Sequence, residues 1–486
     1  MTDITQKIWQ YFEEICRIPR TSKNEEKICD YLKQFAEKEH LAYKQDAAGN
    51  VLILKPAVKD KENLKTVILQ SHVDMVGEKN SDVQHDFLTE PINAYIDGDW
   101  MKARGTTLGA DDGIGMAAAV AILADPTIEH GPLEALFTVD EETGLTGAKA
   151  LEENFMTGEI LINLDSEDEG ELFIGCAGGI DTTAVFRYTT TKIPANARAF
   201  QLSITGLTGG HSGDDIDKGR GNAIKILNQI LLKSVELFGI SLARFEGGNL
   251  RNAIPREASA IVIIDPVHYN KFEQHALSIA GQWKESLITT SPGFHFSIDP
   301  YEKADTIIDI NTLSGLLNAI EACPSGVIRM SETMPGLVST STNLASVKFT
   351  GTNTITIATS QRSDDEKAKK EIARHIHDIF EIAGATVTHS DGYPGWTPNP
   401  QSPILEITKT VYSDLFSKQP IVRAIHAGLE CGLFLEKYPT LDMISFGPTI
   451  KGAHSPSEQL NIPTVKQFAD LLLGVLGKIP EKNYPA

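Results

Sequence analysis

Histidine and acidic side chains recur in this chain just past segments that read as strands. "VILQSHVDMV" ends a run of aliphatic residues on His72 and carries Asp74 two positions later. "LFTVDEETG" places Asp140, Glu141 and Glu142 in the same way, "ILINLDSED" places Asp165, and "ISFGPTIKGAHSPSE" places His454 in the loop after a fourth such segment. Side chains at i and i+2 of an extended chain point the same way, so His72 and Asp74 share a face. A metal-bound imidazole needs a carboxylate to fix its tautomer and raise its basicity, which a His-x-Asp element supplies. Adjacent carboxylates such as Glu141 and Glu142 can divide labour, one binding metal and the other moving protons. A further cluster, "GTTLGADDGIGMAAA", sets Asp111 and Asp112 among Gly109, Gly113 and Gly115 at the head of an alanine-rich helix. Glycine-rich turns that open helices often hold phosphate, but two carboxylates would repel an anion, and a cation is the better fit. Taken alone, each cluster has an ordinary explanation as a cap, a solvated turn or a hydrogen-bonded histidine. Together they gather beyond the carboxyl ends of strands, where open α/β sheets build their sites.

The elements that must position these residues fall into two textures. In the first third, strand-like "NVLILK", "KTVILQ", "LEALFTV" and "EILINL" alternate with the helix "GMAAAVAILAD". Such alternation implies an α/β fold, a mostly parallel sheet with helices on its faces. After "FRYTTTKIPANARAF" the segments "AFQLSITG", "EASAIVIID", "FHFSID" and "NTITIATS" suggest antiparallel strands. Helices such as "NAIKILNQILLKSVELFG" and "DEKAKKEIARHIHDIFEIAG" interrupt them, which is an α+β texture and implies a second domain. "SDGYPGWTPNPQSP" reads as a linker out of that domain, after which the helix near "ILEITKTVYSDLF" and the strand "LDMISFG" restore the first texture. The expected arrangement is a discontinuous first domain, 1–186 plus 394–486, with a second, α+β domain, 187–393, inserted into it.

Bulk properties narrow the function. At 486 residues, with 41% hydrophobic and 22% charged content, the chain suits a globular protein of two or three domains. A net charge of -21 argues against nucleic acid, whose phosphates need a basic footprint. Five scattered cysteines without a CxxC pair fit free thiols in a reducing cytoplasm. "MTDITQKIWQYFEEICRIPR" lacks the basic start and apolar run of a signal peptide, and no apolar run approaches the roughly 20 residues of a membrane helix. No nucleic acid, no membrane and a cytoplasmic location are the expectations.

"SHVDMV", "LGADDGIGMA", "VDEETG", "NLDSED" and "KGAHSPSE", in this order, resemble the two-zinc peptidase family that includes aminoacylase, carboxypeptidase G and the carnosinases. The resemblance spans essentially the whole chain. "HVDMVGEK", "GCAGG", "GLTGGHSG", "DGYPGWTPN" and "HAGLECG" are similar to a bacterial branch that cleaves unblocked dipeptides with a C-terminal histidine. The resemblance implies one Zn2+ on His72 and Asp165 and a second on Glu142 and His454, with Asp111 bridging them; Co2+ or Mn2+ could substitute. It implies a cis peptide between Asp111 and Asp112, Glu141 as general base toward a di-zinc-activated water, and Asp74 behind His72. The resemblance makes the first domain the zinc-binding catalytic one and the inserted domain a lid. In that lid, His211 of "GLTGGHSGDD" would meet the oxyanion, while Asn252 of "GGNLRNAIP" and Arg362 of "ATSQRSDD" would grip the substrate backbone and carboxylate. The planar fork of arginine suits a carboxylate. Gly428 could let substrate approach the backbone, or serve packing. The implied partner is a small dipeptide, and a homodimer is expected. Spacing alone leaves open a carboxypeptidase or an N-acyl-amino-acid deacylase on the same scaffold, or a metal- or peptide-binding protein without catalysis. His375 and His377 on a helix do not share a face, and Asp214, Asp215 and Asp217 lack the spacing of a calcium loop; both groups read as structure. Cys176 reads as packing.

Overall fold

The computed structural model describes residues 4–302 and 304–482, so the first three residues of the acidic N-terminal segment lie outside the described residues. Two compact units divide the chain: Met1–Gly175 with Pro398–Ala424 and Leu429–Ala486, and Cys176–Thr397 with Ile425–Gly428.

The first unit is built on an eight-stranded sheet in the order Ala42–Gln45, Val51–Lys55, Leu133–Thr138, Val67–His72, Ile160–Asn163, Asp442–Ser445, Glu171–Cys176, Ile421–Ile425. Its four central strands, from Leu133–Thr138 to Asp442–Ser445, are parallel to one another. The runs "VILQSH", "LEALFT" and "ILIN" are buried at every position, as a sheet covered on both faces requires. The flanks are antiparallel, so the sheet is mixed. Strands as close as Ala42–Gln45 and Val51–Lys55 can be joined by a short turn only in the antiparallel sense. The alanine-rich helix Ala110–Ala124 packs against both Val67–His72 and the helix Ile4–Cys16. It is buried from Ala110 through Leu123, which small side chains permit. Register pairs His72 with Thr138, Gln70 with Asn163 and Asn163 with Ser445, so the parallel strands end along one edge.

The second unit is an antiparallel sheet running His295–Tyr301, Arg198–Thr205, Ala258–Ile264, Ser241–Gly247, Val338–Thr350, Thr354–Ser363, Gly178–Arg187, Thr386–His389. The burial of "RAFQLSIT" alternates residue by residue, and its inward side chains join a core with the helices Ala223–Phe238, Tyr269–Ser286, Ile310–Ala322 and Glu366–Ile382. Gly178–Arg187 pairs with Thr354–Ser363, which puts residues expected at the end of the first domain into this sheet. The expected linker is likewise an ordered ribbon. Cys176 and Trp396 exchange backbone hydrogen bonds, as do Gly179 and Tyr393, and Trp396 is buried. Among the described residues all five cysteines are free and buried, and no helix is long and apolar enough to cross a membrane.

Candidate metal and catalytic site

The shared edge of the parallel strands gathers the acids and histidines of the first unit. His72 is the last residue of its strand, and its Nε2 lies 3.0 Å from Asp111 Oδ1 and 3.5 Å from Asp165 Oδ1. His454 Nε2 lies 3.0 Å from Asp111 Oδ2 and 2.9 Å from Glu142 Oε2. Asp111 thus gives one oxygen to each of two clusters, His72–Asp111–Asp165 and Asp111–Glu142–His454. Glu142 Oε1 is buried without a hydrogen-bond partner among the described residues. Imidazole nitrogens and carboxylate oxygens this close, with more acceptors than protons to share, form a donor set suited to divalent cations with N/O preference. The chain's own residues therefore fit a pair of metal ions.

Asp74 does more than stand behind His72. Its Oδ1 lies 3.3 Å from His72 Nδ1, and its carboxylate also accepts the backbone N–H of Glu141 at 3.0 Å and of Glu142 at 3.2 Å. One side chain ties the histidine to both glutamates. Although burial opposes the charge, His72 and these hydrogen bonds hold Asp74 down to about 2. Asp111 is likewise held well below the usual carboxylate range against its burial, by His454 and His72. Burial pushes Asp165 up to about 7. Glu141 rises well above its ordinary value, through burial and then the nearby Asp165, Glu430 and Glu142. Such a carboxyl accepts a proton readily.

The glycines around Asp111 have a reason that sequence does not give. Buried Arg20 donates to the carbonyls of Val73, Asp74 and Gly109, pinning the His72 and Asp111 loops together. A Cβ at Gly109 or Gly113 would stand 2.7 or 2.6 Å from Arg20 Nη2, and one at Gly115 would strike the Asp112 carboxylate. Asp111 and Asp112 are non-helical and joined by a cis peptide. Asp112 accepts the N–H of Gly115, so the cap expected here belongs to the second aspartate. Glu458 accepts the backbone N–H groups of Leu108, Gly109, Ala110 and Asp111, fixing the bridge residue from below. Behind the strand ends runs a buried polar chain. Thr138 and Gln70 donate to Glu430, Asn163 donates to Gln70, and Ser445 donates to Asn163. Arg20, Glu458 and Glu430 escaped the reading of the sequence, although "KGAHSPSE" ends on Glu458 and "HAGLECG" contains Glu430.

The other candidates belong to the second unit. His211 follows the strand Arg198–Thr205, and its Nδ1 accepts the N–H groups of Gly213 and Asp214. The N–H of Ser212 reaches the carbonyl of Asn252 at 2.7 Å, which joins the His211 and Asn252 loops. Arg362 is buried and donates to the Tyr393 hydroxyl at 3.0 Å. A Cβ at Gly428 would lie 2.8 Å from the Tyr393 ring, so this glycine makes room for the tyrosine that holds Arg362. Ser341 sits opposite Arg362 in register and lies 2.7 Å from His426 Nε2. Burial, with Arg362 nearby, holds His426 down to about 4.

The α/β sheet thus carries paired imidazole–carboxylate clusters at its parallel edge, and an antiparallel unit interrupts it in the chain. Residues 68–478 match the peptidase family M20/M25/M40, and the chain belongs to that family. It is 42% identical to the cytosol non-specific dipeptidase of Escherichia coli, over 98% of each chain. The crystal structure of aminoacylhistidine dipeptidase from Vibrio alginolyticus superimposes with a TM-score of 0.91 at 43% identity, covering 98% of this chain and 97% of that one. The aminopeptidase PepT of Bacillus cereus shares the fold at 17% identity, with a TM-score of 0.59 and 98% of both chains covered.

Proposed function

We propose that this protein is a cytoplasmic di-zinc dipeptidase that hydrolyses unblocked dipeptides, Xaa-His dipeptides such as carnosine among them. The observation that carries this reading is Asp111, whose two oxygens serve two separate histidine–carboxylate clusters beside Glu141. The names of the Escherichia coli and Vibrio relatives support the substrate class. His72, Asp165 and Asp111 would hold one ion, and Glu142, His454 and Asp111 the other. Zinc suits this N/O set, with Co2+ or Mn2+ as substitutes. When bound, the metals supply Lewis acidity toward the scissile carbonyl and lower the pKa of a water.

The chain's residues do the rest. Glu141 takes the proton of the attacking water and returns it to the leaving amine as the C–N bond breaks. Asp74 holds the His72 ring and the Glu141–Glu142 backbone. His211 Nδ1 lies beside the N–H groups of Gly213 and Asp214 and 3.2 Å from the Asp214 carboxylate, and its Nε2 meets the developing oxyanion. Arg362 meets the substrate carboxylate, oriented by Tyr393, and Asn252 meets the substrate backbone. The inserted unit serves as a lid, and the protein works as a homodimer.

A substrate panel tests the reading. Carnosine, other Xaa-His dipeptides and unrelated dipeptides are expected to be cleaved in preference to tripeptides and N-acetylated amino acids. Preferential cleavage of the acylated compounds would instead make the protein a deacylase. Faster cleavage of unrelated dipeptides than of Xaa-His would remove the histidine preference.

A further inference from the structure

The helix Glu366–Ile382 packs on the strands Gly178–Arg187 and Thr386–His389, and two imidazoles meet at that junction. His377 Nδ1 lies 3.2 Å from His389 Nε2, with ring centroids 5.2 Å apart and planes 28° from parallel. Two ring nitrogens this close need something between them: a proton if one ring carries it there, a cation if neither does.

The buried network behind His389 decides its tautomer. The Thr182 carbonyl is only an acceptor, and it takes the hydroxyl proton of Thr359. Thr359 Oγ1 then accepts from Gln361 Nε2 at 2.7 Å, which turns Gln361 Oε1 toward Thr182. Thr182 donates its single hydroxyl proton to that oxygen at 2.7 Å. Toward His389 Nδ1, 2.9 Å away, Thr182 Oγ1 can therefore only accept, so Nδ1 carries the hydrogen. A neutral imidazole has one N–H, and His389 Nε2 presents a lone pair to His377. Burial and the neighbouring His377 keep His389 below its ordinary pKa, in the neutral form. On the other ring, Glu381 Oε1 faces His377 Nε2 from 3.7 Å, beyond hydrogen-bond distance, and a cation entering between the rings takes the place of the proton that His377 Nδ1 shares with His389 Nε2.

We propose that His377 and His389 form a divalent transition-metal site in the second unit, taking a borderline ion such as Zn2+, Ni2+ or Cu2+. Metal–nitrogen bonds of about 2.0–2.1 Å at a tetrahedral angle set two nitrogens roughly 3.3 Å apart, close to the spacing of this pair. The rings line an open cleft of about 380 Å³, whose walls also carry Asp378 and Glu381 against Lys370 and Arg374. Water completes the coordination, since among the described residues no carboxylate joins the two nitrogens at ligand distance. Thr182 holds the far nitrogen of His389, the arrangement that fixes ligand orientation in histidine metal sites. His375 takes no part: it stands two residues from His377 on the helix and cannot share its face. The partner of His377 comes from the strand instead.

Equilibrium dialysis of the full chain at fixed free Zn2+ tests this, with bound zinc counted per chain and dipeptide hydrolysis followed alongside. His377→Ala and His389→Ala are each expected to bind one zinc fewer than the wild type while keeping its hydrolytic rate, and His375→Ala to bind as many as the wild type. Because the readout is a difference, it holds whatever number the Asp111 clusters bind. Thr182→Val, which removes the acceptor for His389 Nδ1–H, is expected to weaken that one zinc by about 10- to 100-fold. Equal zinc in the wild type and both histidine variants overturns the site, and unchanged affinity in Thr182→Val overturns the tautomer argument.

Discussion

A carboxylate can hold a metal or carry a proton, and the neighbours Glu141 and Glu142 divide these tasks by position. Glu142 faces His454, whereas Glu141 makes no such ion pair among the described residues and its carboxylate lies near His72 and Glu142. Glu141→Gln keeps the size of the side chain and removes its basicity. It is expected to leave metal content unchanged and to lower kcat roughly 100- to 10,000-fold. Metal analysis beside dipeptide hydrolysis checks this, and an unchanged kcat would place the base elsewhere. The residues that face the cation donors were legible because each follows a hydrophobic run, and a strand end is a recognisable place. The residues that hold them were not. Arg20 reaches Gly109 and Glu458 reaches Leu108 through backbone atoms far away in the sequence, and such bonds leave no spacing to read.

At the scale of elements, two helical glycines should respond in opposite ways to the same change. Alanine ordinarily stabilises a helix interior by about 0.5–1 kcal/mol over glycine, because the unfolded chain loses less freedom. Gly281, exposed in Tyr269–Ser286, has open space where a Cβ would go, so Gly281→Ala is expected to gain that amount. Gly115 lies in Ala110–Ala124 with the Asp112 carboxylate in the way, so Gly115→Ala is expected to destabilise despite the better propensity. Denaturant unfolding of both variants measures the signs, and a gain in both would dissociate the glycine from the Asp112 cap. Elements with aliphatic runs, such as Val67–His72, announced themselves in the sequence. Val338–Thr350 did not, because its buried stretch "VSTSTN" is polar. Those polar groups are satisfied in place except for Asn343 Oδ1: Thr340 pairs with Ser363, Ser341 with His426, and Asn343 Nδ2 donates to the Arg251 and Ala253 carbonyls. Gly178–Arg187 was misplaced for a related reason, since a strand's affiliation depends on its distant partner Thr354–Ser363.

For the whole molecule, the two units have different stakes in metal. The second has an apolar core of its own, from Ala184 to Ala385. The first converges Asp111, Glu142 and Asp165 on one strand edge with Glu141 and Asp112 close by, and burial opposes the charge of most of these acids. Ions that bind this folded edge and not the unfolded chain stabilise it by mass action, about 2.7 kcal/mol at a free concentration one hundred times Kd. A domain of this size shifts by roughly 2–4 °C per kcal/mol. Calorimetry of the His389→Ala chain, in which the Asp111 clusters are the proposed sites that remain, separates the contributions. Chelation is expected to lower one of two unfolding transitions by several degrees and to leave the other in place. In wild type the second transition should also move, by less, when zinc is restored. If chelation moved neither transition, the Asp111 clusters would not be holding metal in the folded state. If a single transition moved as one, the two units would be unfolding as one cooperative body.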